Sequence, residues 1–229
     1  MSVSAPIFCG CRLVGLNLTM AESLDAWNPF DLLLERDSPQ NSRPDITFLA
    51  SPERVPIVGV ALVDRQSEDK GERAMYRTAN AAIRRLVETR ETAVVPIDTR
   101  LDANRTGLRT PAEVASLIAN MDVVLTTRLH GMVLALSNGV PAVAVDAIAG
   151  GSKVKRQAEA VRWPVVFTAE ALSDEELNEA FNYCLTEESR AKARKCCARA
   201  REKVEDTGEE FVRALAAQVT SFQVHREGV

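Results

Sequence analysis

In the run TTRLHGMVLALSNGVPAVAV, residues 126–145, Arg128 and His130 stand two positions apart, and His130 is one of only two histidines in a chain of 229 residues. An arginine offers a permanently charged, planar fork that matches a carboxylate or a phosphate. An imidazole beside it can move a proton near neutral pH or donate a hydrogen bond to an anion. Thr127 adds a hydroxyl, and Gly131, with no Cβ, would let a ligand approach the backbone. Together these residues read as an anion-binding turn with a proton-transfer group. The competing reading is a turn in which Arg128 and His130 only hydrogen-bond to neighbouring loops, and Arg-x-His alone does not separate the two. His225, the second histidine, lies in a polar tail.

The elements around this turn decide what it can do. Asp122 to Thr126 reads as a buried strand and Leu129 to Ser137 as a helix closed by Gly139, which places Thr127, Arg128 and His130 at a helix N-terminus. Unpaired N–H groups and the positive end of the helix dipole favour an anion there. Upstream, VPIVGVALVD and TAVVPID read as strands on either side of the helical run GERAMYRTANAAIRRLVETR. TPAEVASLIAN opens a helix with Thr110 as cap, Pro111 in the first turn and Glu113 completing a capping box. Downstream come the strand VPAVAVD, the helix KVKRQAEAVRW, the strand PVVFT and a helix capped by Ser173 with Glu176 three residues on. A charged helical region from about Glu187 to Val219 follows, with a break expected near Thr207 and Gly208. About five strands alternating with helices predict an α/β fold, a doubly wound, Rossmann-like parallel sheet that binds ligands beyond the carboxyl ends of its strands. Lys153 stands at another such end, after a Gly-Gly turn, and is either a second phosphate or carboxylate contact or an ordinary surface lysine.

Composition narrows the functions. A hydrophobic fraction of 46% supports a sizeable core, and a net charge of −4 with mixed signs argues against a nucleic-acid partner. Five cysteines without a regular framework fit free thiols in a reducing compartment, and no metal site is expected from them. Neither a transmembrane segment nor a signal peptide is visible, so a cytoplasmic location is expected. Walker loops, nucleophile elbows and Gly-x-Gly-x-x-Gly fingerprints are missing from the sequence, so no nicotinamide, flavin or nucleoside-triphosphate cofactor is expected. The domain reading is an irregular segment over 1–54, a Rossmann-like domain over 55–186 and a helical region over 187–229.

DVVLTTRLHGMVLALSNGVPAVAV followed by GGSKVKRQAEAV resembles the polysaccharide pyruvyl transferase family. The shared pattern is a strand ending in Ser or Thr, Arg-Leu-His-Gly, an apolar helix, Gly-Val-Pro, a further strand and Lys-Val. These positions are Thr127, Arg128, Leu129, His130, Gly131, Gly139, Val140, Pro141, Lys153 and Val154, and the resemblance runs from about Pro44 to Val166. It implies the C-terminal lobe of a glycosyltransferase-B-like fold that moves a pyruvyl group from phosphoenolpyruvate onto two hydroxyls of a glycan or lipid-linked sugar, forming a ketal and releasing phosphate. Phosphoenolpyruvate is then a donor substrate, and no cofactor is implied. The resemblance associates Arg128 and His130 with phosphoenolpyruvate binding and catalysis, and Thr127, Leu129, Gly131, Lys153 and Arg65 are the further candidate substrate-binding residues. Arg65 matches an arginine that relatives carry after the corresponding strand. Asp64 and Asp146 also end strands, and either positions a sugar hydroxyl or caps the turn that follows it. Relatives devote well over a hundred residues to an N-terminal lobe, where this chain has only its first 54, so a reduced lobe and a homo-oligomer or partner chain are further expectations. The alternatives are a nucleotide-sugar glycosyltransferase or epimerase lobe and a non-catalytic binding or assembly subunit.

Overall fold

The computed structural model describes residues 10–51, 53–63, 74–102 and 104–227. Two compact units divide the chain, Met1–Arg54 and Val55–Val229. In the first, β1 (Val14–Leu16) pairs in parallel with β2 (Leu32–Leu34), and Asp45 caps a short 3-10 turn over Ile46–Leu49. Ion pairs link its loops. Arg36 bridges Asp37 at 2.7 Å and Asp45 at 2.6 Å, and Arg43 holds the nearly buried Glu35 at 2.8 Å. The Thr47 N–H and the Arg36 guanidinium pull the Asp45 carboxyl down to about 2. Strands of three residues have too little length to show a period, which is why this segment reads as irregular in sequence.

The second unit is a five-stranded, all-parallel sheet of β3 (Ile57–Ala61), β4 (Ala93–Pro96), β5 (Val123–Thr126), β6 (Ala142–Asp146) and β7 (Val166–Thr168), in the order β4-β3-β5-β6-β7. The doubly wound α/β reading is thereby borne out. Every residue of β5 and β6 is buried, as expected of central strands covered on both faces. The edge strand β4 tolerates Pro96, which would remove a ladder hydrogen bond inside the sheet.

The connecting helices are α1 (Tyr76–Glu88), α2 (Pro111–Ala119), α3 (Leu129–Ser137), α4 (Lys153–Val161), α5 (Asp174–Cys184) and α6 (Glu187–Glu227). In α1, Ala79, Ala82, Ile83 and Leu86 fall at helical spacing and are buried. Thr110 accepts from the Glu113 N–H, and Ser173 and Glu176 form a full capping box. α1 packs on α5, while α3 touches α2 and α4. The Arg90 guanidinium ties α1 to α5 by reaching Asn178 and Asn182 and lying 4.7 Å from the Phe181 ring centroid. Trp163 is buried, with its indole N–H donating to the Ala142 carbonyl at 2.8 Å.

α6 lies against α3 and α4 and runs without a break through Thr207 and Gly208, contrary to the sequence expectation. A glycine costs a helix interior only about 1 kcal/mol relative to alanine, which the surrounding helix formers offset. Thr207 also turns its hydroxyl back to the Lys203 carbonyl at 2.8 Å instead of ending the helix. Among the described residues no helix is long and apolar enough to cross a membrane.

Sheet order fixes where a ligand can sit. From β3 the chain goes to β4 on one side, then returns through α2 to β5 on the other, so the β3 and β5 ends flank the topological switch point.

Candidate functional site

At the carboxyl ends of β5 and β6 lies a cleft of about 330 Å³, lined among others by Thr127, Arg128, Leu129, His130 and Lys153. The turn after β5 is set by two threonines. Thr126, fully buried, donates from its hydroxyl to the Ala61 carbonyl at 2.8 Å and accepts from the Arg128 N–H at 2.9 Å. Thr127 accepts from the Val63 N–H at 2.9 Å and donates to Asn80 at 3.1 Å, and the Asn80 amide returns to the Val63 carbonyl at 2.9 Å. These bonds lock the ends of β3, β5 and α1 together. Thr127 therefore positions the turn, its hydroxyl already engaged with backbone and Asn80.

Arg128 is the N-cap residue of α3, and it makes no side-chain capping hydrogen bond. Its Nε donates to the Leu62 carbonyl at 2.8 Å, and one terminal nitrogen lies 3.6 Å from an Asp98 oxygen. The two side chains are only 12% and 11% exposed. Burial lowers the pKa of the Arg128 guanidinium, Asp98 opposes that shift, and Arg100 and Arg105 add to it by cationic repulsion. Arginine stays charged across such shifts. Arg128 is thus a largely desolvated cation with one carboxylate partner and two cationic neighbours, a field that an anion would relax.

Asp98 also organises the loop after β4, accepting from the Arg100 N–H at 3.0 Å and the Arg105 N–H at 3.3 Å. The loop brings Thr99 and Arg100 into the cleft wall, and Tyr76 of α1 completes it nearby. Sequence reading missed Asp98, Thr99, Arg100, Asn80 and Tyr76. One signal was available for the first three: IDTR follows TAVVP, so it too stands at a strand's carboxyl end.

His130, the second residue of α3, is exposed and lines the cleft. Lys153, the first residue of α4, is exposed and reaches the same cleft from the next strand end. Between them Asp146 is buried, accepting at one oxygen from the Ser152 N–H at 2.7 Å and the Lys155 N–H at 3.0 Å, and at the other from the Ile148 N–H at 3.1 Å. It caps its own turn with both oxygens, and it also lines the cleft.

Gly131 does not line the cleft. It is buried, and a Cβ there would run into Thr126 and Ala61, so its lack of a side chain serves helix-to-strand packing. Arg65 and Asp64 lie outside the described residues. Among the described residues no group of three His, Cys, Asp or Glu side chains could hold a metal ion, and Cys11, Cys184, Cys196 and Cys197 are free. Burial pushes the Cys184 thiol up to about 12, which makes it an inert core group.

Residues 42–147 match the family model described as Polysaccharide pyruvyl transferase. The resemblance read from the sequence is borne out over that stretch, which contains Thr127 to Gly131 and ends before Lys153. No curated protein matches the chain. Among solved structures the chain is similar to CalG4, the calicheamicin glycosyltransferase, at 20% identity over 69% of this chain and 43% of that one, with a TM-score of 0.39. It is also similar to the spinosyn forosaminyltransferase SpnP, at 16% identity over 85% of this chain and 54% of that one, with a TM-score of 0.40. The chain spans about half the length of these proteins.

Proposed function

We propose that the cleft binds phosphoenolpyruvate and that the chain serves pyruvyl transfer to a glycan. The observation that carries this reading is the convergence of Arg128, His130 and Lys153 on one cleft, from two different strand ends. The family match over residues 42–147 supports it. A small donor with a carboxylate and a phosphate calls for a cationic contact at each anionic group, and Arg128 after β5 and Lys153 after β6 both line the cleft. Arg128 clamps one anionic group with its fork, the N-terminus of α3 adds its dipole, and Lys153 faces the other.

In the reaction, two sugar hydroxyl oxygens bond to the central carbon of the donor, and its bond to the phosphate oxygen breaks. One hydroxyl proton goes to the methylene carbon, which becomes the methyl of the ketal, and the other leaves with inorganic phosphate. His130, exposed on the cleft side of α3, carries one of these protons. Arg128 offsets charge as it gathers on the departing phosphate.

Calorimetric titration of phosphoenolpyruvate into the purified chain tests the reading, with Arg128→Ala and a nucleotide sugar as controls. Saturable binding to the wild type is expected, weakened roughly 10- to 100-fold by Arg128→Ala, the scale of a lost charged hydrogen-bond pair. A folded wild type that ignores phosphoenolpyruvate, or one that takes the nucleotide sugar instead, would overturn it.

A further inference from the structure

Along α6 the environment changes midway. Ala193 and Cys196 are buried, and the Lys203 ammonium still reaches back to the Ala160 carbonyl at 3.1 Å. Apart from that anchor, every side chain from Arg201 to Ala216 is exposed. Four of them are large and apolar: Val204 is 71% exposed, Phe211 66%, Val212 62% and Leu215 50%. Val204 and Phe211 are separated by two helical turns and Leu215 follows one turn later, so these three fall on one stripe, with Val212 at its flank. A stripe of this size left in water is the signature of an unfilled contact.

Followed toward the start of α6, the same stripe enters an apolar groove of about 320 Å³. Met132, Leu136 and Val161 line it from α3 and α4, and Cys197, Ala200 and Val204 from α6. One helix face thus carries a socket and, one to three turns further on, a set of apolar side chains able to fill such a socket. A helix cannot fold back on itself to join them, but a second copy can.

Charge selects the orientation. Between Arg190 and Lys203 seven basic residues stand against one acid, whereas between Val204 and Val212 there are four acids and no base. Two copies running in parallel would set basic beside basic and acidic beside acidic. Running antiparallel about a twofold axis near Val204, each acidic segment lies beside the other copy's basic segment, and each Phe211 lies over the other copy's groove. The contact is then isologous and closed, with no free end to propagate.

We propose that this face of α6 is a homodimer interface, in which two copies pair antiparallel and Phe211 and Leu215 of each fill the groove between α3, α4 and α6 of the other. Sedimentation and light scattering over a wide range of concentration should give a mass approaching twice the 25.0 kDa of one chain. Phe211→Glu with Leu215→Glu should return the monomer with helix content unchanged, because both side chains are exposed in the single chain. Glu209→Lys with Glu210→Lys should weaken association roughly tenfold or more by placing like charges together. For orientation, Val212→Cys should be joined between copies to Cys197 by a short bis-maleimide, and Cys197→Ser should abolish that product. A wild type that stays monomeric, a dimer indifferent to Phe211→Glu, or a Val212→Cys product that survives Cys197→Ser would each overturn the proposal.

Discussion

The turns after β5 and β6 bring two helix N-termini to the same cleft and finish them in opposite ways. At α4 the buried carboxylate of Asp146 takes up the N–H groups of Ser152 and Lys155, so the helix end is closed by an internal anion. At α3 the capping position belongs to Arg128, whose side chain makes no capping bond and turns instead to Leu62 and Asp98. A cation at a helix N-terminus is electrostatically misplaced unless an anion joins it. The difference separates scaffold from site within one repeated β-α device: α4 has its N-terminal N–H groups taken up by an internal carboxylate and adds the Lys153 charge to the cleft, while at α3 the nearest carboxylate, Asp98, lies 3.6 Å from the Arg128 guanidinium and does not cap the helix.

Removing the internal anion should have the largest effect. Asp146→Ala strips the acceptor from three backbone N–H groups at a buried position, and about 3 kcal/mol of stability should be lost, read as a lower urea midpoint with unchanged slope. Asp146→Asn, which keeps one acceptor oxygen, should fall between. If Asp146→Ala were as stable as the wild type, the α4 end would not need its carboxylate and the contrast with α3 would collapse.

Gly131→Ala probes the other turn and should cost about 1–3 kcal/mol, the range for overpacking a tight site. Helix propensity alone predicts the opposite sign, a gain of about 1 kcal/mol, so a thermal or urea melt separates the two accounts directly. The Cβ would press on Thr126, whose hydroxyl fixes the Arg128 N–H, and donor binding should therefore weaken along with stability.

What could be read in advance follows from how local each signal is. The sheet was legible because β5 and β6 are apolar runs of strand length and α1 repeats its buried positions at helical spacing, all within single elements. Arg128 and His130 were legible for the same reason, being neighbours in sequence on a turn whose flanks announce themselves. Asp98 and Asn80 were not: each acts through bonds to residues 30 or more positions away, Asp98 to Arg128 and Asn80 to Thr127, and no period marks such a pair. The role of Asp146 was ambiguous because a strand-end acid looks the same whether it faces a ligand or its own backbone. At Gly208 a glycine in sequence suggests a stop, whereas continuous helix formers carry the helix through it, and at Gly131 close packing against Thr126 adds a requirement for glycine that the sequence does not display.

The smallest effect, and the one that sharpens the comparison most, belongs to Lys153→Ala. The side chain is exposed, so stability should change by no more than about 0.5 kcal/mol. Phosphoenolpyruvate binding should weaken several-fold, less than in Arg128→Ala, because a lysine on the rim is better hydrated than a buried arginine. The double variant then decides how the cleft divides its work. If Arg128 and Lys153 grip different anionic groups of the donor, their effects should add to within about 0.5 kcal/mol. If both serve one group, the second removal should cost clearly less than the first, and the α4 turn would be a supplement to the α3 site rather than a second one.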